Sequence, residues 1–250
     1  MSSIAAPAGI RFEHRTDEGP VIGIGTATPR LSWLVPAADA SFAQDAYEVE
    51  VTRPGGAADV FRVTSSEQVL VPWPAEPLSS REPAQVRVRV SGGGSVSDWS
   101  EPATVEAGLL GAEDWTARFI SPTELGGLDA PAPVLGATFD VPREIASARL
   151  YATAHGVYEA TLNGRRVGDH VLAPGWTAYA ARLRYQTYDV TDLVREGANE
   201  LEVLLGNGWF RGRLGWGHRR ALYGDRLALL AQLEVTTADG AVHVLATDGS

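Results

Sequence analysis

The chain has 250 residues, 44% of them hydrophobic, and a formal net charge of −10 from 31 acidic and 21 basic side chains; every basic residue is arginine and there is no cysteine. That length accommodates one large or two ordinary domains, the acidic balance argues against nucleic acid or an anionic membrane as partner, and the lack of cysteine excludes disulfides and thiolate chemistry without fixing a compartment. No apolar run approaches the roughly 20 residues of a membrane span, and Met1 to Pro7 has neither the basic nor the apolar region of a secretory signal; a cytoplasmic location is the default expectation, with secretion left open.

Long helical periodicity is nearly absent, and period-2 alternation recurs between Gly, Pro, Asn and Asp. Residues 30–34 (Arg-Leu-Ser-Trp-Leu) predict a short strand. Tyr47, Val49 and Val51 alternate with Glu48 and Glu50, and Val86, Val88 and Val90 alternate with Arg87 and Arg89. Each pattern predicts a strand with one wet face. Gly92-Gly93-Gly94 turns the chain toward Ser97-Asp98-Trp99-Ser100. About seven short strands in roughly 100 residues predict an immunoglobulin-like sandwich. The motifs Pro29-Arg30-Leu31-Ser32-Trp33, Gln44-Asp45-Ala46-Tyr47-Glu48-Val49, Val88-Arg89-Val90 and Asp98-Trp99-Ser100-Glu101-Pro102 resemble the fibronectin type III-like domain at the front of bacterial α-L-rhamnosidases of glycoside hydrolase family 78. Pro83-Ala84-Gln85 stands where those domains usually carry an aromatic pair.

Residues 109–133 read as a connecting segment, rich in Pro, Gly and acid from Ser121 onward. Glu113 and Asp114, flanking Trp115, read as solvated. No charge break separates the halves, so the division into 1–108, 109–133 and 134–250 rests on pattern. Beyond it, residues 137–141 and 148–154 predict strands, and 157–162 runs into Asn163-Gly164, the strongest short hairpin signal. Residues 183–190 alternate, Thr191 to Val194 predicts one helical turn capped by Thr191 or Asp192, and Leu201, Val203 and Leu205 mark another strand. Leu227, Leu229, Ala231, Leu233 and Val235 form one face of a long strand that Ala238-Asp239-Gly240 turns back.

This half resembles the N-terminal β-sandwich of the same rhamnosidases, a galactose-binding-like jelly roll. The carrying motifs are Ala148-Arg149-Leu150-Tyr151, Gly156-Val157-Tyr158-Glu159, residues 162–169 around Asn163-Gly164, residues 172–179 around Pro174-Gly175-Trp176, Tyr185-Gln186-Thr187-Tyr188-Asp189-Val190-Thr191, and residues 206–212 around Asn207-Gly208-Trp209. The fold expected is thus all-β, two sandwiches in series, with the second truncated at its C-terminal end. The resemblance implies that hydrolysis of terminal α-L-rhamnosides is done by a carboxylate pair on an (α/α)6 barrel beyond Ser250, inverting configuration with one acid and one base. None of the acidic residues here matches that pair, so no catalytic residue is assigned, and the 250-residue chain is predicted inactive alone. The implied partners are that barrel and rhamnosylated glycans.

Residues 205–220 gather two Trp, one Phe, four Arg, one His and five Gly after an apolar strand. Glycines let the backbone take positive φ and approach a second surface; Trp and Arg dominate contact hot spots, and indole faces suit sugar C–H groups. Asn207, Trp209, Arg211 and Trp216 are therefore the candidate carbohydrate or interdomain contacts. If the stretch is extended, Trp209 and Arg211 share a face. The competing reading folds the loop over its own sandwich, with the tryptophans as satellite core. Arg211, Arg213, Arg219, Arg220 and Arg226 form the one basic cluster, read alternatively as partners of the acidic surface. Asp189 and Asp192 read as turn and cap residues. His155, His170 and His218 lack zinc spacing, and no metal ligand or cofactor is assigned. Asp169, His170 and Asn163 could serve calcium by loose analogy with sandwich modules that bind rhamnose through calcium. Two further readings stay open: a stand-alone carbohydrate-binding module, and a structural pair of protein-interaction domains.

Overall fold

The computed structural model describes residues 4–15, 19–36, 42–127, 129–142, 144–217 and 219–248. The chain forms two compact units, Met1–Asp114 and Trp115–Ser250, and both are built of strands. Unit 1 carries β1 (Ala8–Phe12), β2 (Val21–Ile24), β3 (Leu31–Leu34), β4 (Ala46–Thr52), β5 (Asp59–Val63), β6 (Pro83–Gly92), β7 (Ser95–Val96) and β8 (Ala103–Ala107). The larger sheet runs β2-β8-β6-β4-β5, with β7 paired to β6; β1 and β3 pair separately, and β3 is extended by a bridge from Leu31 to Val71.

The alternation in the sequence is the physical cause of this sandwich. On β4, Tyr47, Val49 and Val51 point inward, and on β6 Ala84, Val86, Val88 and Val90 do the same. They meet Phe12, Leu31 and Trp33 across the core, with Trp33 edge-on to Tyr47 at 4.9 Å. The outward face carries a charge ladder: Arg89 Nε donates to Glu48 at 2.8 Å and Arg87 Nε to Glu50 at 2.8 Å. Both guanidinium groups lie over the Trp99 ring, at 4.6 and 5.6 Å from its centre, a favourable cation–π geometry. Residues 97–100 hold this place without being a strand, because Ser97 and Ser100 accept the β6 amides of Val90 and Val88 through their hydroxyls, each at 3.0 Å.

Asp114 closes unit 1 and is not the solvated residue the sequence suggested. Its carboxylate accepts from Ser80 Oγ at 2.6 Å, the Gly111 amide at 2.8 Å and Arg81 Nη1 at 2.8 Å. These donors, led by Ser80, hold its pKa down from 3.8 to about 2. The folded carboxyl then binds its proton less readily than the unfolded one, so the stabilisation is complete above about pH 4 and is lost as pH falls toward 2. We expect unit 1 to lose about 1–2 kcal/mol between about pH 5 and pH 2 through this group, an increment that Asp114→Asn removes. Urea unfolding at the two pH values measures it; an unchanged increment in the variant would count against the assignment.

Unit 2 carries β9 (Val134–Val141), β10 (Ile145–His155), β11 (Val157–Leu162), β12 (Arg165–Arg166), β13 (Gln186–Asp189), β14 (Gly197–Gly206), the single helical turn α1 (Gly208–Arg211), the small hairpin β15 (Arg213–Leu214) and β16 (Arg219–Arg220), then β17 (Ala228–Thr237) and β18 (Val242–Ala246). Two four-stranded sheets, β13-β10-β17-β18 and β12-β11-β14-β9, face each other. Leu150, Ala152 and Ala154 of β10 and Leu229, Ala231, Leu233 and Val235 of β17 meet Tyr158, Ala160, Leu162, Leu201, Val203 and Leu205 in one core. Asn163 (φ 53°) and Gly164 (φ 74°) make the β11–β12 turn, the geometry a two-residue type I′ hairpin demands.

Of residues 109–133, those up to Asp114 fall in unit 1 and those from Trp115 in unit 2. The strap 115–120 crosses the outer face of the β10–β17 sheet. Gln232, 1% exposed, accepts the amides of Thr116 and Ala117 through Oε1 at 2.8 and 3.2 Å and donates to Glu234 at 2.7 Å. Ile120 and Leu229 exchange backbone hydrogen bonds, and Trp115 packs edge-on to Tyr185 and Tyr151. The central strands are thus covered on both faces. The turn after β13 is capped by Asp189 rather than by Thr191 or Asp192: Asp189 Oδ1 accepts from the Thr191 amide at 3.0 Å and from its hydroxyl at 2.6 Å. Among the described residues no helix is long and apolar enough to cross a membrane.

Candidate functional site

The aromatic end of unit 2 begins where β14 stops. Gly208 has φ +50°, and a Cβ there would lie 2.6 Å from a methyl of Val157, so the backbone conformation and the close approach both call for glycine. The chain then winds through α1, with the Arg211 amide donating to the Asn207 carbonyl at 3.1 Å and the Gly212 amide to that of Gly208 at 3.2 Å. In a helical turn of 3.6 residues, positions two apart diverge by about 200°. Trp209 and Arg211 therefore do not share the face that an extended stretch would have given them.

Trp209 is partly buried and lies parallel to Trp176, ring centres 6.0 Å apart and planes 8° from coplanar. Trp176 Nε1 donates to the Tyr223 hydroxyl at 3.1 Å. Tyr223 packs on Tyr179 at 4.9 Å, and Tyr179 meets Phe210 edge-on at 5.1 Å. Phe210 stacks on His155 at 4.7 Å, and His155 on Phe119 at 4.5 Å. Burial between the two phenyl rings pushes the His155 pKa down, which favours the neutral imidazole. One continuous aromatic row results. Its most buried ring is Phe210, 6% exposed; its exposed rings are Trp176, Phe119 and Tyr223, at 55%, 44% and 41%. Trp216 projects wholly into solvent from the β15–β16 turn.

The four residues singled out in the sequence thus have different surroundings. Arg211 Nη1 donates to Asn207 Oδ1 at 3.0 Å and Nη2 to the Gly126 carbonyl at 2.7 Å; this pair fastens the segment around Gly126 to α1. Trp209 is one half of a stack, and Trp216 touches no other ring in these contacts. Sequence reasoning missed Trp176, Tyr179, Phe210 and Tyr223 as members of the row. Phe210 stood in the loop beside a more conspicuous tryptophan. Trp176 and Tyr179 lay in a motif noted for its resemblance alone, about thirty residues earlier in the chain.

The oxygen donors considered for calcium are already engaged in part. Asn163 donates to the Leu193 carbonyl and to Asn199 Oδ1, both at 2.8 Å, and accepts the Glu200 amide at 3.0 Å. Asp169 is exposed, 3.7 Å from His170. Among the described residues no three His, Asp or Glu side chains gather as a metal site; His218 lies outside those residues.

Two family models match in series. Residues 7–111 match the Rha78A-like, N-terminal immunoglobulin domain, and residues 143–250 match the α-L-rhamnosidase N-terminal domain. The chain belongs to the N-terminal region of the α-L-rhamnosidase family. An α-L-rhamnosidase of Formosa agariphila is 34% identical over 245 residues, which cover 91% of this chain and 26% of that protein. The solved native α-L-rhamnosidase of Aspergillus terreus superposes with a TM-score of 0.90 at 46% identity, over 97% of this chain and 28% of that one. That of Streptomyces avermitilis, complexed with L-rhamnose, superposes with a TM-score of 0.86 at 25% identity, over 97% of this chain and 40% of that one. The chain thus spans about a quarter of the length of its curated rhamnosidase relatives. In family terms the two β units are the front of such proteins, and the aromatic row, apart from Phe119, lies within the residues that match the rhamnosidase N-terminal domain.

Proposed function

We propose that this chain is the non-catalytic front of a longer enzyme that hydrolyses terminal α-L-rhamnosides. One observation carries the reading: both N-terminal domain models of the family match in order, on a chain that spans 26% of a rhamnosidase relative. Inverting hydrolysis needs an acid and a base placed on either side of the glycosidic bond. Among the carboxylates described above, Asp114, Asp189, Glu48 and Glu50 are engaged in caps and ion pairs. The units act as scaffold, and the aromatic row of unit 2 is the surface offered to the catalytic barrel first and to rhamnosylated substrate second.

A stand-alone carbohydrate-binding role is the second reading. It is favoured by Trp176 and Trp216, whose rings are open to solvent and present the flat apolar faces on which sugars stack. One assay tests the main reading. The purified 250-residue chain is expected to release no rhamnose from an aryl α-L-rhamnoside, while the full product of its gene releases it. Rhamnose release by the chain alone, or none by the full product, would overturn it.

A further inference from the structure

Beside the aromatic row lies an open groove of about 820 Å³ whose lining includes Arg211, Arg220 and Arg226 together with Asp225. We propose that this groove binds an acidic carbohydrate, through carboxylate or sulfate groups on its sugar rings. The inference rests on the carbohydrate-contact reading above only for the class of the ligand.

The first argument is charge. The protein carries −10 overall, and an isolated arginine on such a surface normally finds a carboxylate. On unit 1 they do: Arg87, Arg89 and Arg53 are each held by a glutamate. Arg220 and Arg226 are exposed and form no ion pair among the described residues, although Asp225 lines the same groove. Guanidinium groups left unpaired around one concavity match the forked geometry of carboxylate and sulfate oxygens.

The second argument is rigidity. Arg211 is fixed by Asn207 Oδ1 and the Gly126 carbonyl, which occupies two of its five N–H donors and leaves the others for a ligand. The Ala221 amide donates to the carbonyls of Arg211 and Gly212 at 3.0 and 3.3 Å. Gly224 lies so close to Phe210 that a Cβ would come 2.4 Å from the ring. The backbone of the groove wall is therefore held at Ala221 and Gly224, so that the ordering left for a ligand to impose is mainly that of the Arg220 and Arg226 side chains.

The third argument is what shares the wall. Residues 221–226 send Asp225 and Arg226 into the groove and Tyr223 into the aromatic row, where it bonds Trp176. One short loop thus joins a cationic groove to an aromatic face. Sugar rings stack on the second and acidic substituents pair with the first, while Asp225 can accept a sugar hydroxyl. A neutral glycan would leave the arginines without partners, and a simple inorganic anion would leave the aromatic face unused.

The test is calorimetric titration of the whole 250-residue chain with three short probes of matched length: an oligogalacturonate, a sulfated oligosaccharide and a neutral malto-oligosaccharide. At least one acidic probe is expected to bind, more weakly as salt is raised, and the neutral one not; which acidic probe binds tells carboxylate from sulfate. Because the chain as a whole repels anions, such binding must be local. The double variant Arg220→Ser/Arg226→Ser should weaken it by about tenfold or more with an unchanged melting temperature, since both side chains are exposed. Failure of both acidic probes to bind, equal binding of the neutral probe, or undiminished binding by the double variant would overturn the proposal. None of these outcomes bears on rhamnose release by the full gene product, which tests the proposed function separately.

Discussion

Phe210→Ala is expected to destabilise the second unit by about 3–5 kcal/mol, the usual cost of emptying a buried phenylalanine site. The ring is 6% exposed, stacked on His155 and touched edge-on by Tyr179, and Gly224 is moulded against it. Its removal opens a hole whose walls cannot close, because β10 and α1 are fixed by their own hydrogen bonds. For a unit of this size that cost corresponds to a fall in melting temperature of roughly 10–18 °C. Trp209→Ala should cost far less, about 0.5–1.5 kcal/mol for its one parallel stack on Trp176 plus a share of half-buried area. Trp216→Ala should stay within about 0.5 kcal/mol of the parent, since the ring is wholly exposed. Thermal unfolding followed by near-ultraviolet circular dichroism ranks the three. Parent-like melting of Phe210→Ala would refute the packing described here, and so would a tryptophan variant that melts lowest.

The three substitutions fall within eight residues, and their expected ranking could not be read from composition. Alternation reports which face of a strand is buried, and it placed Val49, Val88 and Leu233 correctly because those positions see one continuous core. Asn163-Gly164 was equally legible, since few residue pairs accept positive φ twice in succession. The stretch after β14 obeys no such period. Its glycines signal close approach, which Gly208 makes against Val157, but they do not say whether the chain continues extended or winds. The chain winds, so Arg211 turns away from Trp209 and becomes a fastener of Gly126.

Coverage of the sheet's outer face was also hidden. Gln232 alternates with the inward-facing Ala231 and Leu233, yet it is buried because its side chain accepts two backbone amides of the strap 115–120, which almost any sequence could supply. The aromatic row is non-local too: Trp176 and Tyr179 come from one loop, Phe210 from α1 and Tyr223 from another loop, and only the fold brings them together. Family resemblance, in contrast, rested on ordered short motifs spread along the chain, and the two domain models match across that same order.

We propose that the aromatic end of unit 2 is a contact surface for the remainder of a longer enzyme, and that this chain keeps its fold without it. The most direct test is the double variant Trp176→Ala/Trp216→Ala, made both in this chain and in the full product of its gene. Both rings are more than half exposed here, so the chain should melt within a few degrees of the parent. In the longer enzyme the same rings are predicted to be covered, and truncating two contact tryptophans there should cost about 2 kcal/mol or more, read as a lower melting transition or at least a tenfold loss of rhamnosidase activity. A chain that unfolds on the double substitution, or a longer enzyme that melts and hydrolyses like its parent, would show that the aromatic end is not such a contact surface.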